Sequence, residues 1–132
     1  MNPIEFCRTI YLGDRWCKQL IIDGVAGEIK LQIDLISRVR GSEWNYYADE
    51  DLPEGFLVLE GVANFELVPQ GALPNDWIEL VSVSEAAEDG YYRFEFSLGS
   101  SSTTTARASE ITLTVFAKSL CLADGLGQKV RL

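Results

Sequence analysis

Residues 28–35 alternate without a break, Ile29, Leu31, Ile33 and Leu35 against Glu28, Lys30, Gln32 and Asp34. A period of two places the first set on one face of a β-strand and the second on the other, so one face must be covered by other parts of the chain. The preceding segment, Trp16–Asp23, has strand character too. The two are separated by Asp23-Gly24-Val25-Ala26-Gly27, so together they read as a hairpin.

The same reading extends along the chain. Leu57, Leu59, Gly61, Ala63, Phe65 and Leu67 share one phase between Phe56 and Val68, and Gly61 in their midst marks a bulge or a bend between two short strands. Trp77–Ser84 is a strand, Glu85–Gly90 a turn with the hairpin signal Asp89-Gly90, and Tyr91–Leu98 a strand with Tyr92, Phe94, Phe96 and Leu98 in one phase. Glu110–Ala117 places Ile111, Leu113 and Val115 on a buried side. Arg40–Gly55 and the Ser/Thr-rich run 99–105 read as loops, and the tail past Gly125 as a fraying end. At the N-terminus, Asn2 caps, Pro3 suits a first turn and Glu5 sits three residues after the cap, which predicts a short helix over 3–11. The expectation is a mainly β fold: an antiparallel meander, built as a sandwich or a partly open barrel, of six to seven strands with one short N-terminal helix. At 132 residues, 1–132 is a single β-rich domain.

Charge is distributed unevenly. Between Glu43 and Glu95 stand thirteen acidic residues and one basic residue, Arg93, a net of −12 in a chain whose total is −9. Such a balance disfavours nucleic acid and anionic membranes, which both require basic patches. Glu60 and Glu66 take the polar phase of their strands and Glu95 shares a face with Arg93, so these read as ordinary solvent-facing positions. The anomaly then narrows to the turn at Glu85, Glu88 and Asp89 and to the loop Asp49-Glu50-Asp51 with Glu54, which stands beside Trp44, Tyr46 and Tyr47. Aromatics next to acids make a credible contact surface. Trp44, Tyr46, Tyr47, Asp49, Glu50, Asp51 and Glu54 are therefore the candidate binding residues. Trp16 and Trp77, at strand starts, read as core.

Several chemistries find no support. The chain has no histidine, which removes Ser–His and Cys–His pairs and histidine-ligated metals. Cys7, Cys17 and Cys121 form no CxxC, so no metal site or other cofactor is expected, and they read as reduced, buried thiols in a cytoplasmic chain without an export signal. Counting a calcium loop from Asp49 fails for want of a glycine at the sixth position, where Glu54 stands. A carboxylate hydrolase needs two carboxyls across one cleft, which sequence does not display.

Three segments carry a family resemblance: Ile33-Asp34-Leu35-Ile36-Ser37-Arg38, Leu57-Val58-Leu59-Glu60-Gly61-Val62 and Pro69-Gln70-Gly71-Ala72-Leu73-Pro74-Asn75-Asp76. Their order resembles a small bacterial domain family of unknown function. It is also similar in layout to the cytosolic immunity proteins of polymorphic toxin systems. Asp14 and Gly61-Val62 match that layout, while Leu59 stands near the place of its expected phenylalanine. The resemblance implies a non-enzymatic β protein that binds and neutralises a toxin, and it transfers no catalytic residue. The leading expectation is thus a non-catalytic protein-binding module for a basic partner, with a homodimer through a sheet edge as a further option. A small carbohydrate- or ligand-binding β domain is the alternative, and a carboxylate hydrolase ranks last.

Overall fold

The computed structural model describes residues 2–39, 51–101 and 108–130, with the backbone alone of Ala108 and Ser109. Helix α1 (Pro3–Cys7) is followed by β1 (Ile10–Tyr11), β2 (Cys17–Asp23), β3 (Glu28–Ile33), β4 (Leu35–Arg38), β5 (Leu52–Pro53) and β6 (Phe56–Glu60). Then come β7 (Asn64–Val68), β8 (Ile78–Glu85), β9 (Tyr92–Ser101), β10 (Ala108–Ala117), β11 (Ser119–Ala123) and β12 (Lys129–Val130). All pairings are antiparallel. They build a five-stranded sheet in the order β12-β11-β6-β3-β2, a four-stranded sheet β7-β10-β9-β8 and a small sheet β1-β4-β5.

The alternating residues do what their period predicts. Ile29 and Leu31 of β3 lie opposite Leu59 and Leu57 of β6, which in turn face Leu120 and Leu122 of β11. In the other large sheet Phe94, Phe96 and Leu98 of β9 lie opposite Val115, Leu113 and Ile111 of β10. Side chains of both sheets join one buried cluster, so the two sheets share a single core. Full burial of each such side chain contributes roughly 1.5–3 kcal/mol.

Two strands pass from one sheet to the other. β6 runs into β7 across Gly61-Val62-Ala63, and β10 runs into β11 across Lys118. The bends lie side by side. Gly61 has φ of +63°, and a Cβ there would sit 3.0 Å from the Lys118 side chain, so glycine meets both the backbone and the packing demand. Strands that switch sheets at bends are the corners of orthogonal packing. On the opposite side the outer strands β2 and β8 meet through a bridge at Trp16 and Trp77. The result is a partly open barrel: the sheets are continuous on one flank and barely joined on the other.

Some expectations are corrected. The helix ends at Cys7 instead of residue 11, because Ile10 and Tyr11 pair with Arg38 and Ser37 of β4. Asn2 caps it as expected, its side chain accepting from Glu5 N at 2.9 Å. The seven predicted strand segments are joined by five short ones, β1, β4, β5, β11 and β12. The end past Gly125 is not loose up to Val130, since β12 pairs with β11. β9 continues to Ser101, into the run read as a loop.

Candidate functional site

The flank where the barrel is barely joined gathers side chains that no local pattern of residues associates. Cys17 N donates to Asp76 O at 2.7 Å and Ile78 N to Arg15 O at 3.3 Å, one on each side of the Trp16–Trp77 pair. Directly opposed residues in an antiparallel pair project from the same side, and in a pair flanked this way the side chains come closest. Trp16 is 54% exposed and Trp77 37%, so the seam presents both tryptophans to solvent as a platform of exposed apolar surface. The reading of both as core is thereby corrected. Their hydrophobicity suggested burial, but a seam between two sheet edges leaves no layer to cover them.

The platform is held firmly. Asp34 Oδ1 accepts from Trp16 N at 2.9 Å, and Asp34 N donates to Trp16 O. Asp76 Oδ1 accepts from Trp77 N at 2.9 Å, while its other oxygen accepts from Ser101 Oγ at 2.6 Å. Asn75 exchanges side-chain hydrogen bonds with the backbone of Ser101. Gly99 N donates to Trp77 O at 2.7 Å, and a Cβ on Gly99 would lie 2.4 Å from Trp77 Nε1. The indole of Trp77 therefore rests against the glycine, on the outer face of the four-stranded sheet.

That outer face is acidic. Its register forms two rows across the strands, Val68–Thr112–Ser97–Glu79 and Glu66–Thr114–Glu95–Ser82. Glu110 adds a fourth carboxylate, accepting from Ser97 Oγ at 2.7 Å. Among the described strand residues of this face the one cation is Arg93, whose Nη2 lies 3.0 Å from Glu95 Oε1. Glu66 and Glu79 are exposed and have no ion pair among the described residues.

Beside the platform lies a groove of about 470 Å³. Ile10, Leu12 and Leu80 give it apolar walls, Trp77 one flank, and Asp14, Arg15 and Glu79 its polar groups. Arg15 reaches Ser37 Oγ with Nη2 at 3.0 Å and lies over the Tyr11 ring at 5.6 Å. Its Nε is buried with no hydrogen-bond partner.

Of the predicted binding residues, Trp44, Tyr46, Tyr47, Asp49 and Glu50 lie outside the described residues. Asp51 is half-buried, with Oδ1 buried and unpartnered. Glu54 lies between β5 and β6. It occupies a turn with φ of +57°, pairs with Lys18, and its carbonyl accepts from Gln32 Nε2 at 3.0 Å. These contacts tie the turn after β5 to β2 and β3 of the five-stranded sheet. Glu60 is not an ordinary solvated acid either, since Lys129 Nζ lies 2.6 Å from it and 2.7 Å from Glu28.

Nucleophiles are muted. Burial pushes the Cys7 thiol up to about 12 and that of Cys17 to about 11. Burial, and then the charge of Glu60, takes Cys121 to about 12. All three are free thiols, protonated near neutrality. Among the described residues no group of three or more His, Cys, Asp and Glu side chains is placed to hold a metal, and no helix is long and apolar enough to cross a membrane.

Compared with protein families, residues 1–132 match DUF6258, described as a family of unknown function. No curated protein and no solved structure matches the chain.

Proposed function

The chain belongs to the DUF6258 family of unknown function, and for this member we propose a non-catalytic protein-binding role in the cytoplasm, with a basic protein as partner. The observation that carries the reading is the pairing of an exposed acidic sheet face with a fixed tryptophan platform at its edge. Glu66, Glu79, Glu95 and Glu110 outnumber Arg93 on that face, and Trp16 and Trp77 stand at its border. Carboxylates of this kind steer a cationic partner and set orientation. Exposed indoles supply the anchoring contact, both by burial and by attraction of Lys or Arg to the ring face. In its most specific form the role is immunity-like: capture of a basic toxin.

The test is titration with a purified basic toxin domain, at low and at high salt. Association is expected to slow as salt rises, and Trp16→Ala is expected to speed dissociation. Binding indifferent to both would remove the reading.

Carbohydrate binding is the second reading, favoured by the same two exposed indoles, since sugars stack on such surfaces. Quenching of tryptophan fluorescence by members of a sugar panel, abolished by Trp16→Ala, would establish it. A hydrolase would need one carboxyl kept protonated by burial across a cleft from its fellow. Asp14 and Glu79 share the groove, but both are exposed.

A further inference from the structure

We propose that the groove beside Trp77 seats a short, extended, basic peptide segment, added as a strand to the edge of β8; this rests on the protein-binding reading and names the partner's element. Ile78 N turns away from β9 to reach Arg15 O, while Gly99 N reaches Trp77 O on the other side. In an antiparallel ladder the direction repeats every second residue. Leu80, paired with Phe96 two positions along from the Ile78–Leu98 pair, therefore also aims its N–H and C=O away from β9, into the groove. Arg15 closes the seam at Ile78, and Leu12, Gly13 and Asp14 line the same groove as Leu80. The register shift between Leu80 and Ser82 ends the regular edge, so the seat takes a few residues and not a full strand.

Two further observations select the occupant. Arg15 lines the groove and keeps a buried Nε donor without an acceptor, so the groove wall holds an unsatisfied polar group. Asp14 and Glu79 at the groove complement Lys or Arg side chains. A second copy of the chain would meet these acids with a surface of net −9, so a basic segment of another protein fits better.

The test uses ¹⁵N-labelled protein and three capped pentapeptides: alternating valine and lysine, its glutamate counterpart, and the lysine peptide N-methylated along one edge. The lysine peptide is expected to shift the Leu80 amide and the Arg15 Nε–H signals. The glutamate and N-methylated peptides are expected to leave both unmoved. Leu80→Pro, which removes the edge donor where a sheet tolerates proline, should weaken the lysine peptide about tenfold. Glu79→Lys should do so comparably if the proline variant does not fold. Shifts confined to Glu66, Glu95 and their neighbours would overturn the edge seat while leaving the acidic-face reading intact. Equal response to the N-methylated peptide, or none to the lysine peptide, would also overturn it.

Discussion

The outer faces of the two large sheets are built from the same strand chemistry and treat their acids in opposite ways. On the five-stranded sheet Glu28 of β3 lies directly opposite Glu60 of β6. Like charges so placed repel. Lys129 of β12 reaches both at 2.7 and 2.6 Å, Lys30 lies 3.7 Å from Glu28, and Ser119 Oγ donates to Glu60 at 3.2 Å. The acids of this face are consumed within the molecule, and they fasten the C-terminal strand. On the four-stranded sheet Arg93 pairs with Glu95, Ser97 Oγ donates to Glu110 of β10, and Glu66 and Glu79 on the edge strands β7 and β8 have no ion pair among the described residues. The difference teaches that acidity counted along a chain says little about recognition. What counts is whether a cation of the same chain already answers it.

The sharpest way to break the contrast is to reverse the unanswered face. Glu66→Lys, Glu79→Lys and Glu95→Lys combined should lower the association rate with a basic partner by about a hundredfold at low salt. The melting temperature should hold or rise; an unchanged rate, measured by stopped flow, would show the face to be merely solvated. Next in size, Gly99→Ala should cost about 1–3 kcal/mol in denaturant unfolding, because its Cβ must displace the Trp77 ring. A stability equal to that of the parent would mean that the ring is loosely held.

On the answered face the expected effects are smaller. Lys129→Ala should cost up to about 1 kcal/mol, as exposed ion pairs do. Its pH signature is more telling. The Lys129 hydrogen bond is the main cause that holds the Glu60 carboxyl below its ordinary value, outweighing the opposing effect of burial. The native state then binds fewer protons than the unfolded one just below the usual carboxylate range. That contribution is complete above about pH 4.5 and is lost as pH falls through the lowered value. Lys129 itself is shifted upward, first by Glu28 and then by Glu60. Its contribution is complete below about pH 10 and fades as pH rises through the raised value. Removal of Lys129 should flatten both limbs, and a Glu60→Gln background should abolish the acid one. Smallest of all, Glu66→Gln should leave stability within about 0.5 kcal/mol, since no ion pair among the described residues is lost.

The pattern of residues discloses much of this architecture. β3, β6, β9 and β10 follow from period-two alternation, and Gly61 announces its bend. The elements that escape are those without a local signature. β1, β5 and β12 are two residues long, and β11 continues β10 after the single residue Lys118. The platform escapes for a different reason: Trp16 and Trp77, far apart in the chain, meet through a single bridge, and nothing near either residue records it. The one local trace is Gly99, a glycine inside an otherwise well-formed strand, which marks a close approach by another group. The Lys129 clamp is equally non-local, joining the last described strand to β3 and β6.

The paired bends at Gly61 and Lys118 have a consequence for how the molecule comes apart. Because β6–β7 and β10–β11 each belong to both large sheets, neither sheet can melt while the other stays intact. Loosening one pulls on two strands of its neighbour. Denaturation should therefore register as one transition by the fluorescence of a Trp44→Phe variant, in which only Trp16 and Trp77 report, and by far-ultraviolet dichroism, which reports every strand at once.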